Sequence, residues 1–421
     1  MNVMKELFNS ERWTQAIEKG FQKNINQETL RLLSLPQTRI DLYTAMCEDR
    51  YVIEPPHEAQ IPKDDGSMRT VYVNTPTDRV LLSIFNNILF ETCSDMIHPR
   101  CKSYQKTIGC GKIVKEAVAT IKATDRNTFG VKIDLSKYFD TVKIEYIEDT
   151  FDKIEAHIGK NPMLDAVRKY YRDSTVYDMD KNLIEKYTSL RQGCAIAAFL
   201  ADAVLYDIDE AISKFNVFYV RYSDDILIIG EEWKAAEKVL VDMLAAKGLT
   251  INPKKRELLN KYRRFKFLGY TIKDQQISLS KSRVKNFQRE IEARTINIRK
   301  PEPIEKTVLR VNRWLYGEEP YSWADSILPV INIPKDIDEL NKFVMDAIKA
   351  KATGKTRIGG LGVTAYREDV TILRGKGRNV RMNRTKVVDI PNYNTISCMQ
   401  KIMLTSRDVY NAVVLNMIEG G

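Results

Sequence analysis

Three aspartates in two apolar segments are the residues of this chain best suited to chemistry. Asp224 and Asp225 are adjacent in "FYVRYSDDILIIG", residues 218–230, between two strand-like runs of apolar and aromatic residues. A polar β-turn is the ordinary explanation, since Ser and Asp are common in hairpin loops. Two like charges held at a tight turn also favour a shared counter-charge, and divalent cations prefer oxygen ligands. A third carboxylate decides between these interpretations.

The third carboxylate is Asp134, in "FGVKIDLSKYFDTV" at residues 129–142. Apolar residues at 131, 133 and 135 alternate with Lys132 and Asp134, which is the period of a half-buried strand. The pattern ends at "SKYFD", which predicts a turn or helix. If this strand and the later hairpin share a sheet, three carboxylates meet. Such a trio can hold two Mg²⁺ ions, or Mn²⁺ in their place, about 3.5–4 Å apart for in-line displacement at phosphorus.

Composition indicates a soluble globular protein. The chain has 421 residues, 43% of them hydrophobic and 29% charged, which predicts two or three subdomains. Its six cysteines form no CxxC pair and only three histidines accompany them, so we expect reduced thiols and a cytoplasmic location. The first residues, "MNVMKELFNSERW", lack an apolar signal core, and no apolar run approaches the roughly 18 residues of a membrane span. We expect neither secretion nor membrane insertion.

Positive charge is concentrated at the C-terminal end. The net charge is +10, and residues 351–421 hold twelve Lys or Arg against five acids. A solvated basic face is the alternative, but this concentration favours a polyanionic partner, with nucleic acid first. The densest run, "RGKGRNVRMNRTK", supplies the candidate RNA-binding residues Arg374, Lys376, Arg378, Arg381, Arg384 and Lys386.

Six motifs in order resemble the motif set of reverse transcriptases over roughly residues 50–275. They are "IPKDDGSMRTVYV", "VKIDLSKYFDTV", "RQGCAIAAFLADAVLYDID", "RYSDDILIIG", "GLTINPKKREL" and "FKFLGYTI". Several weak motifs in the right order are far more specific than any one of them. The resemblance implies an α+β right-hand polymerase, with fingers, an antiparallel palm sheet and a helical thumb.

The predicted domain organisation has four parts. An N-terminal helical segment covers 1–50, and fingers and palm cover 51–280. Apolar residues at helical spacing, punctuated by prolines, predict a helical thumb at 281–352. After "KATGKTRIGGLG" the pattern becomes irregular and basic, which predicts a separate C-terminal element at 353–421.

The resemblance gives the palm residues their roles. Asp134 matches the first metal ligand, Asp224 and Asp225 match the YxDD pair, and Tyr222 fills the aromatic position of that motif. Phe139 lies where these enzymes carry an aromatic steric gate, so its ring is expected to clash with a 2′-hydroxyl and to favour dNTPs. A core aromatic is the alternative for Phe139.

Other motif residues are predicted to contact the nucleotide. Lys63 and Arg69 flank a hairpin with a turn at Asp65-Gly66, where two cations suit a triphosphate and surface solubility is the alternative. Gln192 and Gly193 match the QG motif, in which glycine lets the backbone approach the nucleotide closely.

Two further matches lie beyond the catalytic hairpin. Lys255 matches a lysine that donates a proton to pyrophosphate or shields it, with Lys254 and Arg256 as neighbouring alternatives. The stretch "FLGY", 267–270, matches the primer-grip hairpin, although an apolar strand with a glycine bulge has the same pattern.

The lineage is predicted from departures from the common pattern. Ala197 and Ala198 replace the Ser-Pro that follows QG in typical group II intron enzymes, and QG itself differs from the diversity-generating type. The chain lacks the "VTG" thumb motif of retron enzymes. It is similar to the bacterial, defence-associated, unknown-group reverse transcriptases, of which type 2 is the nearest match. That resemblance implies a structured non-coding RNA template, a cDNA product and a role against phage.

Other functions stay open. A group II intron-like or retron-like reverse transcriptase is the nearest alternative. An RNA-directed RNA polymerase shares the chemistry but is disfavoured by Phe139. A non-catalytic RNA-binding scaffold is disfavoured by the intact aspartates.

Overall fold

The computed structural model contains two compact units, Met1–Lys106 with Thr128–Leu259 and Thr107–Asn127 with Asn260–Gly421. It describes residues 2–20, 26–63, 66–105, 108–317, 322–354, 365–374, 378–387, 390 and 393–419, and at 19–20, 365–374 and 378–387 the backbone alone. Both units combine helices with antiparallel strands, so the predicted α+β class is confirmed. No helix of the described residues is long and apolar enough to cross a membrane. The domain boundaries near 50, 280 and 352 remain predictions.

The first unit is built on amphipathic helices. The N-terminal helices α1–α4 are Val3–Leu7, Ser10–Gly20, Gln27–Leu33 and Pro36–Cys47. The others in this unit are α5 Pro76–Thr92, α7 Tyr138–Thr141, α8 Ile144–Ile158, α9 Pro162–Arg172, α10 Ala197–Ala203, α11 Tyr206–Ser213 and α12 Trp233–Ala246. In α8, Ile147, Phe151 and Ile154 recur on one face and are fully buried. Such faces enclose one core beneath the catalytic strands.

A four-stranded sheet positions the aspartates. Its order is β6-β7-β3-β8, with β3 at Thr128–Asp134, β6 at Val217–Tyr222, β7 at Asp225–Gly230 and β8 at Glu257–Asn260. β3 and β6 both pair antiparallel with β7, which confirms that the Asp134 strand and the later hairpin share a sheet. Val131 and Ile133 are fully buried as predicted, but the opposite face of β3 is also covered, since Asp134 is only 7% exposed.

A second sheet in this unit carries the predicted fingers hairpin. Its order is β2-β1-β4-β5, with β1 at His57–Pro62, β2 at Met68–Val73, β4 at Thr175–Tyr177 and β5 at Leu183–Glu185. β1 and β2 are antiparallel, so the predicted hairpin is confirmed. The Lys63 N–H donates to the Ser67 carbonyl at 2.8 Å, and Gly66 has φ 84°. Asp65 lies outside the described residues.

The second unit is mainly helical. It contains α6 Cys110–Lys122, α13 Lys281–Arg294, α14 Ile304–Asn312, a π-helical turn Arg313–Gly317, α15 Trp323–Ile327 and α16 Pro334–Ala352. Strands β9 Phe265–Phe267, β10 Tyr270–Lys273 and β11 Gln276–Leu279 form an antiparallel sheet. The β9–β10 turn is Leu268-Gly269, both with positive φ, so "FLGY" forms a hairpin. α6 precedes the palm strand in sequence yet belongs to this unit, which the sequence reading missed.

The C-terminal segment combines two strands with two helices. Instead of irregular chain, it contains antiparallel strands β12 Ala365–Arg374 and β13 Arg378–Val387 and helices α17 Ile396–Thr405 and α18 Arg407–Glu419. α17 packs on α16, and α18 packs on α14. The Gln400 amide donates to the carbonyls of Leu328 and Ile331 at 2.8 Å each. These helices therefore belong to the second unit, and the predicted boundary near 352 stays a prediction.

Candidate active site

The β6–β7 turn places the adjacent aspartates against β3. Tyr222 pairs with Asp225, which leaves Ser223 and Asp224 as the two turn residues, and Ser223 is left-handed at φ 56°. Asp134 lies directly opposite Asp225 in the β3–β7 register. The Leu135 N–H donates to the Asp224 carbonyl at 3.0 Å. The three predicted carboxylates therefore come from two antiparallel neighbours at one end of the sheet.

A buried arginine supports this turn from within the core. Arg221 is fully buried on β6, and its guanidinium pairs with the Asp209 carboxylate at 2.6 Å. It also donates to the Ser223 carbonyl at 3.4 Å and to the Asp202 carbonyl at 2.8 Å. A buried charge persists only when it is paired and hydrogen-bonded. The sequence reading missed Arg221, although an arginine inside the apolar run "FYVRY" was the available signal.

Two lysines neutralise two of the three aspartates. The ammonium of Lys255 lies 2.7 Å from Asp134 Oδ2, and that of Lys132 lies 3.0 Å from Asp225 Oδ1. Lys255 was predicted as a site residue, and the structure brings it to the carboxylates. Lys132 was missed, although a cation two residues before Asp134 on one strand shares its face.

The remaining carboxylate, Asp224, is electrostatically strained. Burial raises its pKa first, and the neighbouring Asp134 charge raises it further. Partial burial lowers the pKa of Lys255, but its hydrogen bond to Asp134 and the surrounding aspartates outweigh this, so the net pKa is raised. The site therefore holds more negative charge than its two lysines neutralise.

The donor set suits divalent cations. Within the described residues, no three His, Cys, Asp or Glu side chains converge as a ready-made metal cluster. Two of the aspartates form ion pairs instead, Asp225 with Lys132 and Asp134 with Lys255. The buried Asp225 Oδ1 accepts no hydrogen bond of good geometry, even though Lys132 is close. Oxygen ligands and mutual repulsion between carboxylates are the conditions that a hard cation relieves, so Asp134, Asp224 and Asp225 fit Mg²⁺ or Mn²⁺.

Phe139 lies in α7, just after the catalytic strand. It is half-buried, and its ring meets Tyr138 edge to face at 5.6 Å. It borders a cavity of about 380 Å³ that Tyr72, Lys137, Lys186 and other residues line. A fully enclosed core aromatic would not border such a space, so the geometry is compatible with a gate.

The two cations of the fingers hairpin, Lys63 and Arg69, influence the charge of the cavity beside Phe139. Lys63 and Arg69 are exposed. Burial raises the pKa of Asp140, the residue after Phe139, while the charges of Lys186, Lys137, Lys63 and Arg69 oppose that rise. The hairpin thus adds positive potential beside the cavity, where a triphosphate would gain from it.

The QG motif contacts the fingers sheet. The Tyr72 N–H donates to the Gln192 carbonyl at 2.7 Å. Gly193 has φ 107°, and a Cβ there would lie 2.7 Å from the Tyr72 carbonyl oxygen. Glycine was predicted for close approach to a nucleotide, whereas the approach seen here is to strand β2. Tyr222, the aromatic of the turn motif, is half-buried with its ring 6.5 Å from that of Tyr104.

The basic run lies on the C-terminal strands. Arg374 ends β12, while Arg378, Arg381, Arg384 and Lys386 belong to β13. Lys376 lies outside the described residues. RNA binding by this run stays a prediction.

Comparison with known families decides the affiliation. The family model described as reverse transcriptase (RNA-dependent DNA polymerase) matches residues 61–272, half of the chain. The chain belongs to this reverse transcriptase family. The matched stretch of this reverse transcriptase contains Asp134, Asp224 and Asp225, and also the QG motif and Lys255.

Individual relatives are distant. Retron Ec73 reverse transcriptase of Escherichia coli is 27% identical over 220 residues, 48% of this chain and 61% of the relative. A putative COX1/OXI3 intron 1 protein of Saccharomyces cerevisiae is 23% identical over 287 residues, 53% of this chain and 33% of that protein. The chain thus spans less than two thirds of either relative. A solved telomerase from Candida albicans has a TM-score of 0.43 at 13% identity, covering 76% of this chain and 59% of the telomerase.

Proposed function

We propose that this reverse transcriptase is an active RNA-directed DNA polymerase. The observation that carries the proposal is the β3–β7 register, which sets Asp134 opposite Asp225 with Asp224 in the adjoining turn. Carboxylates arranged in this way serve nucleotidyl transfer, because two bound Mg²⁺ or Mn²⁺ ions supply stabilisation of the attacking and leaving oxygens.

The chain's own residues are proposed to position the nucleotide. Lys63 and Arg69 bind the triphosphate, and the Phe139 ring excludes a 2′-hydroxyl. Lys255 begins paired with Asp134, and its raised pKa keeps it protonated as a donor to pyrophosphate. Gln192 and Gly193 hold the fingers sheet in place through Tyr72.

Primer extension on an RNA template tests this function. We expect the purified protein with Mg²⁺ to extend a DNA primer with dNTPs and to use NTPs poorly, because the ring of Phe139 discriminates by size. Efficient NTP incorporation would favour the RNA-directed RNA polymerase instead. Failure with every template and divalent ion would favour the non-catalytic RNA-binding scaffold.

We further propose that the template is a dedicated structured non-coding RNA, copied into cDNA during antiphage defence. Support comes from the resemblance of the motif set and from the basic C-terminal run. A retron-like enzyme is the second candidate, since two retron reverse transcriptases are among the relatives. Sequencing the nucleic acid that co-purifies tests the dedicated template. One recurrent structured RNA with its cDNA copy would support it, and random cellular RNA would contradict it.

A further inference from the structure

Lys132 and Lys255 both pair with catalytic aspartates, but their surroundings differ. Lys255 ends the short 3₁₀ turn Pro253–Lys255, and its side chain is 56% exposed. Lys132 lies within the central strand β3, and its side chain is only 14% exposed. Lys255 therefore has room to swing away from Asp134 when another cation arrives, whereas Lys132 is held beside Asp225 by the sheet.

The sheet register explains why Lys132 reaches Asp225. Lys132 pairs with Leu227, and Asp134 pairs with Asp225. Lys132 and Asp225 are therefore diagonal neighbours across the two strands. Residues two apart on a strand share a face, and diagonal neighbours lie within reach of a long side chain. The ammonium consequently stops 3.0 Å from Asp225 Oδ1, at the end of the sheet where all three carboxylates lie.

The ion pair between Lys132 and Asp225 makes the aspartates differ in how firmly each is held by a lysine. Asp134 loses its lysine partner if the exposed side chain of Lys255 moves away. Asp225 keeps a fixed cation at contact distance. Two cations compete for one carboxylate by direct repulsion, which is strong where the site is largely shielded from water.

We propose that the Lys132 ammonium is a permanent cation of the catalytic centre. It pairs with the Asp225 carboxylate and so weakens the contribution of Asp225 to divalent-ion binding. The inference rests on the proposed polymerase function. Lys132 is on this view a positioning residue, which acts through Asp225 and leaves Asp134 and Asp224 as the main ligands. Removing its charge frees Asp225 as a third full ligand.

A double-mutant cycle read by Mn²⁺ binding tests the proposal. Wild type, Lys132→Met, Asp225→Asn and the double variant are titrated with Mn²⁺ as full chains without nucleic acid, and free Mn²⁺ is measured by electron paramagnetic resonance. Lys132→Met is expected to tighten binding by about threefold or more. Asp225→Asn should weaken binding by less than about twofold in the wild type but by about fivefold or more in Lys132→Met, since residues in contact couple at this level.

Matched variants separate charge from structure. Lys132→Arg keeps the cation and should bind Mn²⁺ like the wild type, and Lys238→Met, at an exposed lysine of α12, should do the same. Equal binding by wild type and Lys132→Met would overturn the inference, as would an equal cost of Asp225→Asn in both backgrounds. Wild-type primer extension with Mg²⁺ is run alongside. Extension without coupling defeats only the role of Lys132, whereas no extension on any template defeats the proposed function.

Discussion

Phe139 offers the most specific test at the scale of a single residue. Its ring borders the cavity beside the catalytic strand, so truncation removes bulk without touching the carboxylates. Discrimination by a clash disappears when the clashing group is removed. We expect Phe139→Ala to reduce the preference for dNTPs over NTPs by roughly tenfold or more in single-nucleotide extension.

The control is Phe90→Ala, at a half-buried phenylalanine of α5 that packs against Phe199. It removes an equal ring away from the cavity and should keep the wild-type preference. An unchanged preference in Phe139→Ala would return that residue to the core-aromatic interpretation.

At the scale of the element, Gly193 fixes how the QG turn meets β2. An alanine there combines an unfavourable φ of 107° with a Cβ 2.7 Å from a backbone oxygen that cannot rotate away. We expect Gly193→Ala to lower the free energy of unfolding by about 2–4 kcal/mol, measured by denaturant titration. Gly66→Ala is the matched control, since Gly66 has φ 84° but nothing within 4 Å of its Cβ position. Equal losses of unfolding free energy in Gly193→Ala and Gly66→Ala would show that the contact of the new Cβ with the Tyr72 carbonyl oxygen does not destabilise the fold.

A pH-dependent ion pair joins α8 to the 3₁₀ turn Ser94–Met96. His157 Nδ1 donates to the Lys153 carbonyl at 2.8 Å, and Nε2 lies 2.9 Å from Asp95 Oδ2. The backbone hydrogen bond, then the Asp95 contact, raises the pKa of His157, while the same contact lowers the pKa of Asp95.

The sign of the effect follows from these shifts. A raised imidazole pKa stabilises the fold fully below its unfolded value of about 6.5, and the stabilisation is lost as pH rises through the folded pKa. The contribution of Asp95 is lost as pH falls through its lowered pKa, and the part that comes from the pair with His157 is also lost when the imidazole loses its proton. His157→Gln should therefore lower the melting temperature near about pH 5.5 and change it little near about pH 9. Asp95→Asn should share this window, and a shift that is constant with pH would contradict the pairing.

Sequence patterns predicted the elements whose signals are local. Strand alternation and turn residues predicted β3 and the hairpins at 57–73 and 217–230, whereas the hairpin at 265–273 was expected only from the resemblance to reverse transcriptases. The same patterns did not reveal that Lys132 reaches Asp225 or that Gly193 meets Tyr72, because each contact depends on the register or placement of a second strand. The position of α6 and of α17 and α18 in the second unit likewise depends on long-range packing.

At the scale of the whole molecule, the basic strands β12 and β13 are predicted to hold structured RNA. Neutralising Arg374, Arg378, Arg381 and Arg384 to Gln should weaken RNA binding and flatten its salt dependence. Each lost phosphate contact lowers the magnitude of the log–log slope by roughly 0.7–0.9, so the loss of all four contacts changes it by about three units. Filter binding across a salt series measures it.

Four exposed lysines of the first unit, neutralised together, provide the control: Lys153, Lys160, Lys214 and Lys238. A charge effect without specific contact would change both proteins equally and return the basic run to a solvated face. Extension of a generic primed template should survive the arginine changes, since no catalytic carboxylate is altered.

Asp224 is the residue on which polymerase activity is expected to depend most directly, since it belongs to the turn that brings two aspartates to Asp134. The decisive measurement compares RNA-templated primer extension by wild type and Asp224→Asn with Mg²⁺, at equal protein folding checked by thermal melting. We predict a loss of at least about a hundredfold in rate with an unchanged or raised melting temperature, because the variant removes both a charge-stabilising ligand and a like-charge repulsion. Extension by the asparagine variant at the wild-type rate would contradict the account.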